Sequence, residues 1–476
     1  MERKNIWSTY TPEEITELDN ISTRYKACLN EGKTERECVE LGVRLAQEAG
    51  YRDLNDVMAE GGTLKTGDKV YAVCMSKMLA LFRIGEEPVS AGMNILGAHI
   101  DSPRIDVKQN PLYENEGLAY LDTHYYGGIK KYQWVAQPLA LHGVVVKKDG
   151  TVTKVNIGEE EGDPVFVITD LLVHLAQEQM EKKASKVIDG EKLDLLIGNR
   201  PAEQALEELQ SADQTDTKEN AAEKSGQIKA NVLRLLKEKY DMDEEDFTSA
   251  ELEIVPAGKA RDCGLDRSMI LSYGQDDRVC AFTSLFAMLD VTEAKKTGCC
   301  LLVDKEEIGS VGATGMHSRF FENTVAELIA LTEGESEIKV RRALANSRML
   351  SSDVSAAYDP MYAEAFEKRS SAFFANGITF NKFTGSRGKS GSNDANAEYI
   401  AALRKTMDDA GVAYQFAELG RVDLGGGGTI AYIMANYGME VIDSGVAVLN
   451  MHAPYEVSSK ADVYEAVKGY RAFLEM

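Results

Sequence analysis

The chain has 476 residues, 44% of them hydrophobic, with 10 Pro and 40 Gly, a globular composition long enough for about three domains or for one large domain carrying a smaller insert. Its 53 basic and 77 acidic residues leave a net charge of -24, which argues against a nucleic-acid partner and for solubility. No early apolar run has the form of a signal peptide and none reaches the roughly 20 residues of a membrane span, so no membrane partner is expected and a cytoplasmic location is. The seven cysteines contain no Cys-x-x-Cys pair. Neither a disulfide framework nor a thiolate zinc site is indicated, and a metal here would be held by His and carboxylate.

In chain order, Thr11-Pro12-Glu13-Glu14 has the form of a helix start, with a capping hydroxyl, a first-turn proline and a glutamate that answers the cap. The helix should run to about Cys28. A second helix is predicted from Thr34 to Ala49, with Gly50 as its left-handed cap. Lys69 to Val73 and Asn94 to Ala98 read as strands. From about Leu118 to Ile168 the pattern turns β-rich, and Leu141 to Lys148, Asp149-Gly150 and Thr151 to Val155 predict a hairpin with a primed turn. Leu171 to about Glu181 reads as a helix with Leu172, Leu175 and Ala176 on one face and His174 on or near it. A polar excursion covers 201–225, and helical spacing returns at Ile228, Val232, Leu235, Leu236 and Tyr240. Leu252 to Pro256 closes the region as a strand. Beyond it, strand and helix alternate, the signature of a largely parallel sheet with helices on its faces. The fold class is therefore α/β, with a split domain at 1–107 and 257–476 and a β-rich insert at 108–256.

Chemistry-bearing residues recur where apolar runs end. Cys299 to Val303 leads into Asp304-Lys305-Glu306-Glu307, and Asn94 to Ala98 into His99-Ile100-Asp101. Ser268 to Tyr273 leads into Gly274-Gln275-Asp276-Asp277, Ala343 to Leu350 into Ser351-Ser352-Asp353, and Val446 to Met451 into His452-Ala453-Pro454. In a parallel sheet such ends lie along one edge, facing the crevice where ligands bind. His with Asp and Glu and without Cys suits Zn, Mn or Co, and this many carboxylates favours two divalent ions over one closed tetrahedral site. Asp101 is placed to orient the His99 imidazole through its other nitrogen. His452 stands out because the chain has only six histidines. Asp276 and Asp277 serve equally well as caps of the following helix. The Gly425 to Gly428 run, Gly427 included, either lets backbone approach a substrate closely or is a plain flexible loop.

His99-Ile100-Asp101-Ser102-Pro103, Asp276-Asp277-Arg278, Glu306-Glu307-Ile308-Gly309-Ser310, Ser352-Asp353 and Met451-His452 together resemble the M18 family of aspartyl-aminopeptidase-like dinuclear zinc peptidases, over nearly the whole chain. The resemblance implies that Asp276 bridges two metals, that His99 and Asp353 complete one site and Glu307 and His452 the other, and that Glu306 is the general base. It further implies an inserted dimerisation domain, assembly into a homododecamer, and a role for His174 in a neighbouring subunit's active site. Selectivity for acidic N-terminal residues is expected in 381–389, with Lys382 as the candidate, and Asp277 stands where the family often has Asn. The substrate-binding candidates are His174, Asp277, Lys382 and Gly427. The implied activity is release of the N-terminal residue from peptides by metal-activated water. The rivals are a dinuclear deacylase or carboxypeptidase and a metal-binding scaffold without catalysis.

Overall fold

The computed structural model describes residues 5–202 and 226–476. Within them the chain forms two compact units, one made of the segments up to Ser102 and from Lys259 onward, the other running from Pro103 to Gly258.

The first unit is built on a nine-stranded sheet. In spatial order its strands are Arg52–Asp53, Lys69–Cys74, Met78–Arg83, Thr297–Val303, Met93–His99, Arg348–Ser352, Glu440–Gly445, Ile378–Asn381 and Tyr414–Ala417. The four strands from Thr297–Val303 to Glu440–Gly445 are mutually parallel, so their C-terminal ends share one edge. Alternate side chains of these strands enter two different cores. Leu96, Ala98, Cys300, Leu302 and Leu350 pack with Phe282, Phe286 and Tyr470, whereas Ile95, Cys299, Leu301 and Met349 pack with Phe321, Val325 and Leu328. Burial on both faces is why these strands read as continuous apolar runs without polar alternation. Apart from Asn94 and Asp443, which are buried within them, the polar chemistry of these strands is gathered at their ends.

The helices at the N-terminus follow from their caps. Thr11 and Thr34 each form a complete capping box, with Glu14 and Glu37, ahead of helices Pro12–Glu31 and Glu35–Glu48. Gly50 follows the second with φ +85°. Helix Gln275–Asp290 is buried from Gln275 to Met288, which identifies it as a core helix and explains its lack of a polar face.

The expectation of five runs ending on one parallel edge needs correction. Met93–His99, Thr297–Val303 and Arg348–Ser352 do end there. The other two runs contribute to a separate five-stranded sheet, ordered Arg261–Cys263, Met269–Ser272, Glu456–Ser459, Ala447–Leu449 and Ser355–Ala356, in which Met269–Ser272 and Ala447–Leu449 both lie antiparallel to Glu456–Ser459. The chain crosses from the large sheet to the small one twice, after Ser352 and after Gly445, and Asp353 lies at the first crossing. Ala343 to Ala345 end a helix, Glu337–Ala345, and do not begin a strand.

The second unit carries a seven-stranded sheet, in the order Val152–Ile157, Leu139–Val146, Ala250–Pro256, Arg104–Asn115, Leu118–Tyr126, Leu195–Gly198 and Val167–Ile168. Its limits fall at Pro103 and Gly258, outside 108 and 256, because Arg104 already pairs with Tyr126 and Ala257 N still donates to Pro138 O. In the hairpin Val146 faces Val152. The turn differs from the primed form, which needs positive φ at both central residues; here Gly150 N donates to Lys147 O, and only Gly150, at φ +87°, adopts the left-handed region. The helix predicted from Leu171 to Glu181 is broken into a 3-10 turn, Val173–Leu175, and a single turn, Gln177–Met180. Leu171, Leu172, Val173, Leu175 and Met180 are exposed and Ala176 is buried. Amphipathic spacing yields a continuous helix only where a surface covers its apolar stripe, and among the described residues Leu172 and Leu175 of that stripe stay exposed. The polar excursion at 201–225 lies, from 203 on, outside the described residues. Among the described residues no helix is long and apolar enough to cross a membrane.

The second crossing between sheets allows little room. A Cβ added at Gly445 would lie 1.9 Å from Asp353 O and 3.0 Å from Cys280 Sγ. Gly445→Ala should therefore lower the unfolding free energy by about 1–3 kcal/mol, the usual range for overpacking, and displace Asp353. Urea unfolding with an unchanged midpoint would show that the backbone yields freely at this point.

Candidate metal centre

His99 closes its strand with the imidazole 2% exposed. Nδ1 lies 3.0 Å from Asp101 O and 3.3 Å from Asp101 Oδ1, which turns Nε2 toward Asp276 Oδ1 at 3.4 Å, Glu306 Oε2 at 3.8 Å and Asp353 Oδ1 at 4.0 Å. His452 Nε2 lies 3.1 Å from Asp276 Oδ2 and 3.6 Å from Glu307 Oε1. Asp276 thus offers one oxygen to each imidazole. Three sets of ligand atoms each lie within 4.8 Å of one another: His99, Asp276 and Asp353; Asp276, Glu307 and His452; and His99, Glu306 and Glu307. All of these residues belong to the first unit.

Local backbone geometry presents these side chains. After Val303 the chain passes through Lys305 at φ +67° into a 3-10 turn, Glu306–Ile308, and leaves through Gly309 at φ +97°. Within that turn the two acids differ, the Glu306 side chain being 16% exposed and that of Glu307 3%. His452 is itself at φ +65°. Asp276 lies in the non-helical first turn of its helix.

The main chain at five of these residues is held by other buried acids. Asp101 accepts Glu306 N on Oδ1 and Glu307 N on Oδ2, both at 3.1 Å, so one carboxylate orients His99 and anchors the paired glutamates. Asp277 accepts His99 N at 3.3 Å and is completely buried. One oxygen of the carboxylate thus supports His99 from behind, and the side chain has no exposed surface to offer a substrate. Glu456, which the sequence reading missed, accepts His452 N at 2.8 Å and Asp276 N at 2.9 Å. Asp443 was also missed. It is a buried acid inside an apolar strand whose Oδ1 accepts from Thr429 Oγ1 at 2.6 Å. A carboxylate in an otherwise apolar run, and one four residues beyond His452, were the available signals.

The remaining candidates lie elsewhere. Lys382 is exposed just after strand Ile378–Asn381, its carbonyl accepting Ala395 N at 2.8 Å. The backbone approach anticipated at Gly427 occurs at its neighbours, since an added Cβ would lie 1.8 Å from Leu419 O at Gly425 and 2.1 Å from Gly385 O at Gly426, against 3.7 Å from a flexible Leu419 methyl at Gly427. Those two glycines pack loop against loop. His174 is exposed on the Val173–Leu175 turn of the second unit.

Charge crowding shapes the electrostatics. Burial pushes Glu306 up to about 7, with Asp101 and Asp276 adding to the effect and His99 and His452 opposing it. Burial likewise holds Glu307 and Asp353 well above the usual carboxylate range. His99 is raised despite its burial, through hydrogen bonds to Asp101 and Asp276. For Asp276 the burial is outweighed by His452 and His99, which hold it low. Asp101, Asp276, Glu306, Glu307 and Asp353 outnumber two imidazoles, and no hydrogen bond reaches the buried Glu307 Oε1. This excess of inward-facing oxygen ligands, joined by imidazole nitrogens and no thiolate, fits zinc.

The model of the family Aminopeptidase I zinc metalloprotease (M18) matches residues 28–474. A probable M18 family aminopeptidase 1 from Clostridium acetobutylicum is 59% identical over 473 residues, covering 99% of this chain and 98% of that protein. The crystal structure of aminopeptidase I from the same organism superposes with a TM-score of 0.90 at 57% identity, covering 100% of both chains. That of an M18 aminopeptidase from Thermotoga maritima also gives 0.90, at 41% identity over 100% of this chain and 99% of its own.

Acids held above their ordinary range keep protons that a cation must displace before it can bind. Adding zinc to the metal-free protein should thus release protons from the raised ligand acids Glu307 and Asp353, and the apparent affinity should rise with pH. Calorimetry in buffers of different ionisation enthalpy measures the release. Proton-neutral binding at pH 6.5 would contradict this electrostatic picture.

Proposed function

The chain belongs to the M18 family of zinc aminopeptidases, and from that premise and the geometry of the centre we propose that it removes the N-terminal residue of peptides at a pair of divalent ions, zinc first, with Co2+ or Mn2+ able to substitute. The observation that carries this reading is Asp276, whose two oxygens face His99 and His452 separately and which is common to two of the ligand sets. His99 and Asp353 would complete one ion's protein ligands, and Glu307 and His452 the other's. Bound there, the ions supply Lewis acidity, lowering the pKa of water and polarising a carbonyl.

The chain's own residues supply the proton traffic. Glu306 is the more open of the adjacent acids, and a general base must be within reach of the water and the leaving amine between which it carries a proton. It takes the proton from the attacking water as the oxygen adds to the scissile carbonyl, and hands it to the departing amine as the C–N bond breaks. Asp101 fixes the turn that carries Glu306 and sets the tautomer of His99, so the base and a ligand are aligned by one group. Lys382, on its exposed loop, is the candidate contact for an acidic substrate side chain.

The exposed apolar turn around Leu171 to Leu175 supports self-association, in the homododecamer that the family resemblance implies, with His174 delivered to another copy's active site. His174→Ala should then lower kcat while metal content stays constant; loss of metal would instead make His174 a ligand.

Glu306→Gln should retain its zinc and lose roughly 10²–10⁴-fold in kcat, the usual contribution of a positioned acid–base group. Ordinary turnover by that variant would remove Glu306 from the role. Substrates with a free α-amine should be cleaved and their N-acetylated forms spared. Equal cleavage of both would point to a deacylase. A panel of aminoacyl chromogenic substrates, Asp and Glu beside Leu, Met and Lys, then reads the side-chain preference.

A further inference from the structure

Glu456 touches no reacting atom, yet it joins the two segments that carry Asp276 and His452. The carboxylate is 1% exposed and each of its oxygens is used, Oε1 for His452 N and Oε2 for Asp276 N. His452 needs such an anchor because its backbone at φ +65° occupies a region that side-chain-bearing residues seldom adopt and that persists only when surroundings hold it. Glu456 is itself held. Its strand pairs Glu456 with Ser272, and its carbonyl accepts from Gln275 Nε2 at 2.7 Å. Gln275 Oε1 in turn accepts from Tyr25 Oη at 3.2 Å and Ser458 Oγ at 2.5 Å. A buried polar network with its members satisfied is rigid, and this one ends on the main chain of two candidate ligands.

We propose that Glu456 is a positioning residue for the Asp276–Glu307–His452 ligand set, fixing the spacing of Asp276 and His452 and so controlling the affinity of that set in preference to the His99–Asp276–Asp353 set. The inference rests on the two-ion reading above. Selectivity follows from what each set depends on. In the first, two of three members have their backbone amides on Glu456. In the second only Asp276 does, His99 N being held by Asp277 and Asp353 N donating to Ser444 O. Groups that orient metal ligands typically change metal affinity by 10–100-fold when removed.

The test compares Glu456→Gln, which preserves volume but turns an amide NH2 toward one of the two N–H donors, with Glu456→Ala and with Asp462→Asn. Asp462 is a control of the same chemistry, a buried carboxylate accepting Ala375 N at 2.8 Å and Gly377 N at 2.7 Å and taking no part in the ligand sets. Metal-free proteins are dialysed to equilibrium against graded free Zn2+ or Co2+, bound metal is counted, the Co2+ visible spectrum is recorded, and Tm is measured alongside. Wild type should take two ions per chain. Glu456→Gln should weaken one step by roughly 10–100-fold, alter the corresponding Co2+ band and leave the other step within a few-fold, with a larger effect for Glu456→Ala. Asp462→Asn should lower Tm and move neither step. Wild-type affinities for both ions in Glu456→Gln, or equal weakening of both steps that Asp462→Asn reproduces, would overturn the role of Glu456 alone. A wild-type chain that takes only one ion would overturn the two-ion reading, and this inference with it.

Discussion

Crowding of like charge at the end of a parallel sheet is the constraint on which the rest of the centre depends. Two carboxylates about 4 Å apart repel by roughly 4 kcal/mol at the effective dielectric of a protein near its surface, and five of them converge here with two imidazoles. Such a cluster persists only if each acid is given something specific to do. Asp101 and Glu456 each accept two backbone N–H groups, Asp277 accepts one, and Asp276 lies between both imidazoles. The residual demand for positive charge falls on the acids that face inward, Glu306, Glu307 and Asp353, and a bound cation would meet it.

The same constraint separates two adjacent glutamates. In sequence they are equivalent neighbours at a strand end. In the fold, a backbone reversal between Lys305 and Gly309 buries one side chain and leaves the other partly open. A ligand should be dry and fixed, whereas a proton carrier must reach water and substrate, which is the division proposed for Glu307 and Glu306. Asp101 anchors both through consecutive amides, so the difference between them is set by the turn and not by separate supports.

Much of this was legible in the chain itself. The cap at Thr11 announced its helix, helical spacing ending at Gly50 announced the next, and apolar runs announced strands. The ordered motifs at His99, Asp276, Glu306, Glu307, Asp353 and His452 named the residues that the fold brings together. What escaped was set by partners distant in sequence. Nothing local says that Met269–Ser272 and Ala447–Leu449 leave the parallel sheet for a second one, because strand patterning does not specify which strand is the neighbour. Asp277 looked like a cap or a substrate contact until burial behind His99 decided the matter. Glu456 was passed over, since its significance lies in two amides it meets only in the folded state. The apolar run from Leu171 carried a helical period, but period alone does not supply the surface that would make it a helix.

The crossing of the chain between its two sheets has a mechanical consequence. His99, Glu307 and Asp353 belong to the edge of the large sheet, while Asp276 and His452 are delivered by the small one, so any cation shared among them acts as a rivet through the joint. Binding energy gained at the centre is then folding energy for the seam, growing with free metal as RT ln(1 + [L]/Kd). A chain emptied of metal would have its two sheets less firmly fastened at the seam than one that is filled.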